Sequence, residues 1–106
     1  MIASECSYAG FINGNELAEW MQEYNKFETG INSEIMTAGR YSGYIGGVAD
    51  TTNHIIWCSP QGIEMGQVRK IVDIYLSNNP EKLHLDASSL IIEALKTAFP
   101  CKKVLN

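Results

Sequence analysis

The stretch NPEKLHLDASSLIIEALKTAFPC, residues 79–101, decides the fold of this chain. Pro80 ends one helix, because a proline disfavours helical geometry at the residue before it. Apolar residues then recur three and four positions apart, which predicts an amphipathic helix over 86–99 that begins at Asp86. A second proline ends this helix and is followed at once by Cys101. This apolar face is the most regular in the chain and indicates burial against other helices.

The same spacing predicts three further helices upstream, separated by segments that carry turn residues. Asn32 or Ser33 is expected to cap the second of them. No internal repeat and no low-complexity linker divides the chain, so a single helical domain over 1–106 is expected. The predicted fold is all-α, a small four- to five-helix bundle. The predicted segments are a loose N-terminal arm over 1–12, helices over 14–26, 32–52 and 64–78, and a loop over 53–63.

Composition and charge exclude several classes of function. The net charge is -4 and the basic residues form no stripe, which argues against nucleic-acid binding. No apolar run of this sequence reaches the roughly 18–20 residues that a membrane span needs. The two histidines and three cysteines lack the spacing of zinc ligands, so neither a metal nor another cofactor is expected.

The second predicted helix carries an unusual number of glycines, since each costs about 1 kcal/mol relative to alanine in a helix interior. Gly39, Gly43 and Gly47 are four positions apart and therefore share one side of the helix, with Gly46 beside them. We expect this small-residue face to let another backbone approach closely, either within the domain or in a homodimer.

Cys58 and Cys101 each lie in a proline turn, an arrangement that favours a structural disulfide over a reactive thiol. Cys6 is then the cysteine without a partner, in the N-terminal arm. The alternative is a small cysteine-dependent hydrolase in which His54, four positions before Cys58, activates a thiolate. No orienting group and no oxyanion donors can be recognised for that chemistry.

Short motifs follow one another in a fixed order over about residues 11–102. They are Gly14–Leu17, Ser42–Asp50, Cys58–Ile63, Gln67–Val68, Tyr75–Leu76, Asn79–Glu81, Ala94–Leu95 and Ala98–Cys101. In this ordered set the chain resembles the Rap/Tai family of immunity proteins, which protect bacteria from type VI secretion amidase effectors.

The resemblance implies a small helical protein of the Gram-negative periplasm that is not an enzyme. It implies a homodimer that inserts a loop and helix surface into the cleft of a cognate secreted peptidoglycan amidase. A signal peptide would have been removed before residue 1, where the sequence shows no secretion signal. Ser42 and Met21 stand where members often carry further cysteines, which leaves Cys58–Cys101 as the one expected disulfide.

Two surfaces are candidates for contact with a partner. The segment over 51–63 fits the pattern of inhibitory loops, which present aromatic, polar and acidic groups on a rigid frame. The alternative for its apolar residues is that Ile55, Ile56 and Trp57 seal the core. The second candidate is the surface of the third helix around Lys70, and a third interpretation of the chain is a homodimeric helical interaction module. The predicted partner-binding residues are Asn53, His54, Trp57, Ser59 and Gln61 in the loop and Arg69 and Asp73 in the third helix.

Overall fold

The computed structural model describes residues 10–102 of the chain. Within this range the predicted all-α fold is confirmed, since the chain forms four α-helices and no strand. A short 3-10 turn, Pro80–Lys82, connects the last two helices. Cys6 and the predicted arm up to residue 9 lie outside the described residues. The helices are α1 (Gly14–Glu28), α2 (Ile35–Thr52), α3 (Met65–Asn78) and α4 (Ala87–Ala98).

A reciprocal cap fixes the first turn of α1. The backbone N–H of Glu16 donates to Asn13 Oδ1 at 3.0 Å, and the N–H of Asn13 donates to Glu16 Oε1 at 3.1 Å. These bonds satisfy two donors that would otherwise have no partner at the helix start. The carboxylate of Glu16 also lies at the positive end of the helix dipole, where negative charge is favourable.

The start of α1 is held against the start of α4. The N–H of Ala87 donates to the carbonyl oxygen of Ile12 at 2.8 Å, so the end of the predicted loose arm is fixed. A Cβ atom at Gly14 would lie 2.5 Å from Leu90 Cδ1 and 2.7 Å from the carbonyl oxygen of Leu83. Only glycine therefore allows this close approach between the two helices.

Two helix starts differ from the prediction. Asp86 precedes α4 as expected, but its side chain makes no capping hydrogen bond. α2 begins at Ile35, three residues later than predicted, because Glu34 occupies the cap position. The N–H of Glu34 donates to Glu23 Oε1 at 2.8 Å, which holds this backbone to α1 before α2 can begin.

The core lies where the inner faces of the four helices meet. The apolar face predicted for α4 is buried, as its regular spacing indicated. Trp20 of α1 and Tyr44 of α2 meet edge to face with ring centroids 5.9 Å apart, a favourable geometry for aromatic rings. The largest fully buried side chains are Trp57, Tyr41, Leu17, Ile45, Ile91, Leu95 and Val72.

The predicted close packing of the glycine face is wrong within the described part of the chain. A Cβ atom at Gly39, Gly43 or Gly47 would meet no atom within 4 Å, and one at Gly46 would come no closer than 3.7 Å to Met65. The reason is that α2 turns a different face, which includes Tyr41, toward the core. The glycine face is therefore open, and its contact with a second copy of the chain stays a prediction.

The surroundings of two glycines give a testable prediction, because Gly43 has room for a Cβ atom and Gly14 does not. In dilute protein, Gly43→Ala should raise the free energy of unfolding by about 0.5–1 kcal/mol, because alanine favours the helix and has room. Gly14→Ala should lower it by about 1–3 kcal/mol, because its Cβ atom collides with α4. Urea denaturation of both variants measures the difference. Equal effects of the same sign would contradict the assignment of one open and one closed glycine.

Candidate functional site

The loop between α2 and α3, residues 53–63, is attached to the end of α4 by a disulfide, and we call it the tethered loop. Cys58 and Cys101 form this bond across a sequence separation of 43, so the predicted pairing is confirmed. The N–H of Cys58 donates to the carbonyl oxygen of Phe99 at 2.9 Å. A covalent bond and a backbone hydrogen bond therefore fix the middle of the loop.

Hydrogen bonds within the tethered loop close its base. Asn53 Nδ2 donates to Ser59 Oγ at 2.9 Å, and the N–H of Ser59 donates to Asn53 Oδ1 at 3.0 Å. The N–H of His54 donates to the carbonyl oxygen of Trp57 at 2.6 Å. Asn53 and Ser59, both predicted to bind a partner, thus use their polar groups to shape the loop.

The prediction that Trp57 contacts a partner is wrong, because its side chain is only 2% exposed. The indole Nε1 donates to Thr52 Oγ1 at 3.0 Å and lies 3.3 Å from the carbonyl oxygen of Ala49. The ring also packs on Phe99, with centroids 6.3 Å apart. The alternative interpretation, in which this residue seals the core, is correct for Trp57.

The same interpretation is wrong for the two isoleucines that precede the tryptophan. Ile55 is 75% exposed and Ile56 is 38% exposed. Sequence reasoning missed them because an apolar run beside a tryptophan suggests burial. Together with His54 they form what we call the tip of the tethered loop. Gln61, also predicted to bind, is exposed on the other arm of the loop.

The tip has a strained backbone. His54 has a φ angle of 64°, in the left-handed region that residues other than glycine rarely adopt. Such a conformation costs on the order of 1–3 kcal/mol and persists only when the surrounding structure holds it in place. Here the tethers described above hold it. The result is a fixed turn that presents two exposed aliphatic side chains.

Arg69 and Asp73 of α3 are predicted to contact a partner, but both are buried. They are only 6% and 7% exposed. Arg69 Nη1 donates to Asp73 Oδ2 at 3.1 Å, and Nη2 donates to Glu28 Oε2 at 2.8 Å. The guanidinium also lies over the ring of Tyr24, 4.4 Å from its centroid. Lys70 remains exposed beside this cluster. Arg69 therefore joins α3 to α1, and both charges lie inside the domain.

The hydroxyl of Tyr41 on α2 donates to Asp73 Oδ1 and extends this cluster to a third helix. Burial, and then the hydrogen bond to the Asp73 carboxylate, raise the pKa of Tyr41 well above its usual range. In the unfolded chain the same group has a pKa of about 10. Folded protein thus keeps a proton that unfolded protein loses in alkaline solution.

This difference predicts a loss of stability at high pH. The stabilisation is fully present below about pH 10, and above it the free energy of unfolding should fall by up to about 1.4 kcal/mol per pH unit. The Tyr41→Phe variant has no hydroxyl to titrate. Its free energy of unfolding should therefore not show this part of the fall above about pH 10. Urea denaturation of both proteins from about pH 8 to about pH 11 compares them. If the difference in free energy of unfolding between the wild-type protein and the variant stayed constant over that pH range, the prediction would be wrong.

Three other features can be assessed for the described residues: a metal site, a membrane span and a reactive thiol. Between residues 10 and 102, no group of three or more His, Cys, Asp or Glu side chains could hold a metal ion. Over the same range, no helix is both long and apolar enough to cross a membrane. The sulfur of Cys58 is bonded to that of Cys101, so it offers no thiolate to His54 in this state.

Together, the helices and the tethered loop define a class of small all-α domain that holds a rigid, exposed loop by a disulfide. A model of the Rap1a immunity proteins matches residues 13–101, and the chain belongs to this family. The family supports the role of an immunity protein, which implies binding to a cognate effector. Among curated proteins, no match is found.

Proposed function

We propose that this chain is a periplasmic immunity protein that binds a type VI secretion peptidoglycan amidase and blocks its active-site cleft with the tethered loop. The observation that carries the proposal is the tip, where Ile55 and Ile56 are exposed on a backbone fixed by the Cys58–Cys101 disulfide. The family model supports the immunity role, and the motifs of the sequence resemble those of amidase inhibitors.

A fixed loop suits an inhibitor for an energetic reason. Ordering a flexible loop on binding costs conformational entropy, and a loop that already holds its bound shape avoids much of that cost. Apolar anchors that insert into a pocket of the partner commonly dominate the binding energy. Ile55 and Ile56 can supply such anchors, because burying their side chains in a cleft removes apolar surface from water.

The disulfide supports both the compartment and the absence of catalysis. Structural disulfides persist in oxidising compartments such as the bacterial periplasm. While the bond is intact, Cys58 cannot act as a nucleophile, so the chain acts in our proposal by binding alone. The alternative hydrolase would need this bond to be reduced.

A substitution at the tip tests the proposal. Ile55→Asp should weaken the affinity for the cognate amidase by about 30-fold or more, because a charge replaces an apolar anchor. The stability of the free protein should change by less than about 0.5 kcal/mol, since the residue is exposed. Calorimetric titration against a panel of purified type VI amidase effectors, with release of peptidoglycan fragments as a second readout, measures the effect.

Leu85→Asp is the matched control. Leu85 is also a partly exposed aliphatic residue, but it lies at the opposite end of α4 from the disulfide. Its substitution should change the affinity by less than about twofold. Equal losses in both variants, or binding of no amidase by the unaltered protein, would remove the proposal. Peptidoglycan cleavage by the reduced chain that Cys58→Ser abolishes would support the hydrolase instead.

We also propose that the chain forms a homodimer through the corner between α1 and α2. Four large apolar residues are exposed there, and a small cavity of about 110 Å³ between Phe27 and Ile35 extends this surface to the open glycine at position 39. A contiguous apolar surface of this kind is typical of an interaction site. The four exposed residues are Phe27, Ile31, Ile35 and Met36.

Sedimentation equilibrium tests the dimer. Met36→Glu places a charge in the proposed interface and should raise the dimer dissociation constant by about tenfold or more. Ile74→Glu, at an exposed apolar position on α3, should leave it within about twofold and serves as the control. A monomeric wild-type protein, or equal weakening by both variants, would overturn this interface.

A further inference from the structure

A second feature lies beside the tethered loop, at the junction of α2 and α3. The last turn of α2, the base of the loop and the first turn of α3 enclose a pocket of about 210 Å³. Part of its wall is apolar, formed by Trp57, Ile63 and Met65. Two carboxylates, Asp50 and Glu64, line it as well.

The electrostatics of this pocket favour a cation. The segment 41–68 contains two acids, Asp50 and Glu64, and no lysine or arginine. Within residues 10–102, neither Asp50 nor Glu64 belongs to an ion pair. Asp50 lies in the last turn of α2, which holds no basic residue and where the helix dipole also favours positive charge.

We propose that this pocket receives a lysine or arginine side chain of the partner amidase. The apolar wall at Ile63 and Met65 suits the aliphatic stem of such a side chain, and the carboxylates suit its charged end. This inference rests on the proposed function, because it names the chemistry of the partner at the same interface.

The position of the pocket fits a partner that already contacts the tip. Asn53 and Ser59, which close the base of the tethered loop, also line the pocket. A protein surface that surrounds Ile55 and Ile56 would therefore extend over the mouth of the pocket. The charge of the whole chain, -4, is likewise complementary to a basic rim on the partner.

Neutralising both carboxylates tests the inference. The double variant Asp50→Asn/Glu64→Gln should weaken the affinity for the cognate amidase by about 10- to 30-fold, mainly through faster dissociation, as expected for an inserted charge pair. Single variants should show intermediate losses. Surface plasmon resonance at about 0.1 M salt separates association from dissociation. Urea denaturation verifies that the variants are folded.

The control changes the net charge equally at a distant place. Glu81→Gln/Glu93→Gln alters two exposed acids and should change the dissociation rate by less than about twofold. Each lysine and arginine on the face of the amidase is then replaced by methionine. One of these replacements should weaken binding to the wild-type chain but cause no further loss with the Asp50→Asn/Glu64→Gln variant, because the pair is already broken.

The possible results separate this inference from the proposed function. If wild-type protein binds an amidase and Ile55→Asp weakens it, but the pocket variant behaves like its control, only the pocket assignment is wrong. If no basic residue of the amidase shows coupling to the pocket, the assignment is also wrong. If wild-type protein binds no amidase, both the proposed function and this inference are removed.

Discussion

The disulfide between Cys58 and Cys101 is the constraint on which the rest of the structure depends. It joins the tethered loop to the end of α4, and in the entropic model a bond across a loop of this length stabilises a domain by about 3–4 kcal/mol. That is a large share of the stability of a small domain, whose total is commonly about 5–15 kcal/mol. Next to this bond Trp57 lies in the core, whereas the two isoleucines before it are exposed.

A second constraint acts at the other end of the loop. Arg69 is one turn into α3, and its ion pair with Glu28 holds that turn against α1. Because the tethered loop leads directly into α3, fixing the helix also fixes where the loop ends. A buried cluster of charges is weak evidence for added stability, since desolvation opposes the attraction. Its clearer effect is geometric, because the bonds from Arg69 to Glu28 and from Tyr41 to Asp73 link the three helices in one arrangement.

The sequence predicts the parts of this fold that depend on periodicity and on turn chemistry. The helices and the disulfide follow from apolar spacing and from cysteines beside prolines. The sequence does not predict which side chains lie at the surface, because the same residue types occur both in the core and in contact with solvent. Arg69 and Asp73 are four positions apart, as in any solvated helix pair, and only the position of Glu28 and Tyr24 in space shows that they are buried. The spacing of the glycines of α2 likewise predicts close packing, although it does not indicate which face of the helix is turned inward.

In the complex that we propose, the tip and the pocket would contribute different things to recognition. Apolar side chains such as Ile55 gain free energy from any cleft that excludes water, so they provide affinity without much selectivity. The carboxylates of Asp50 and Glu64 lose hydration when a partner covers them, and a correctly placed cation offsets that cost. A partner without the cation is thus penalised, which is how unpaired charges create specificity. In our proposal, an immunity protein that binds one effector tightly and others poorly uses both elements, which lie at the tip and at the base of the tethered loop.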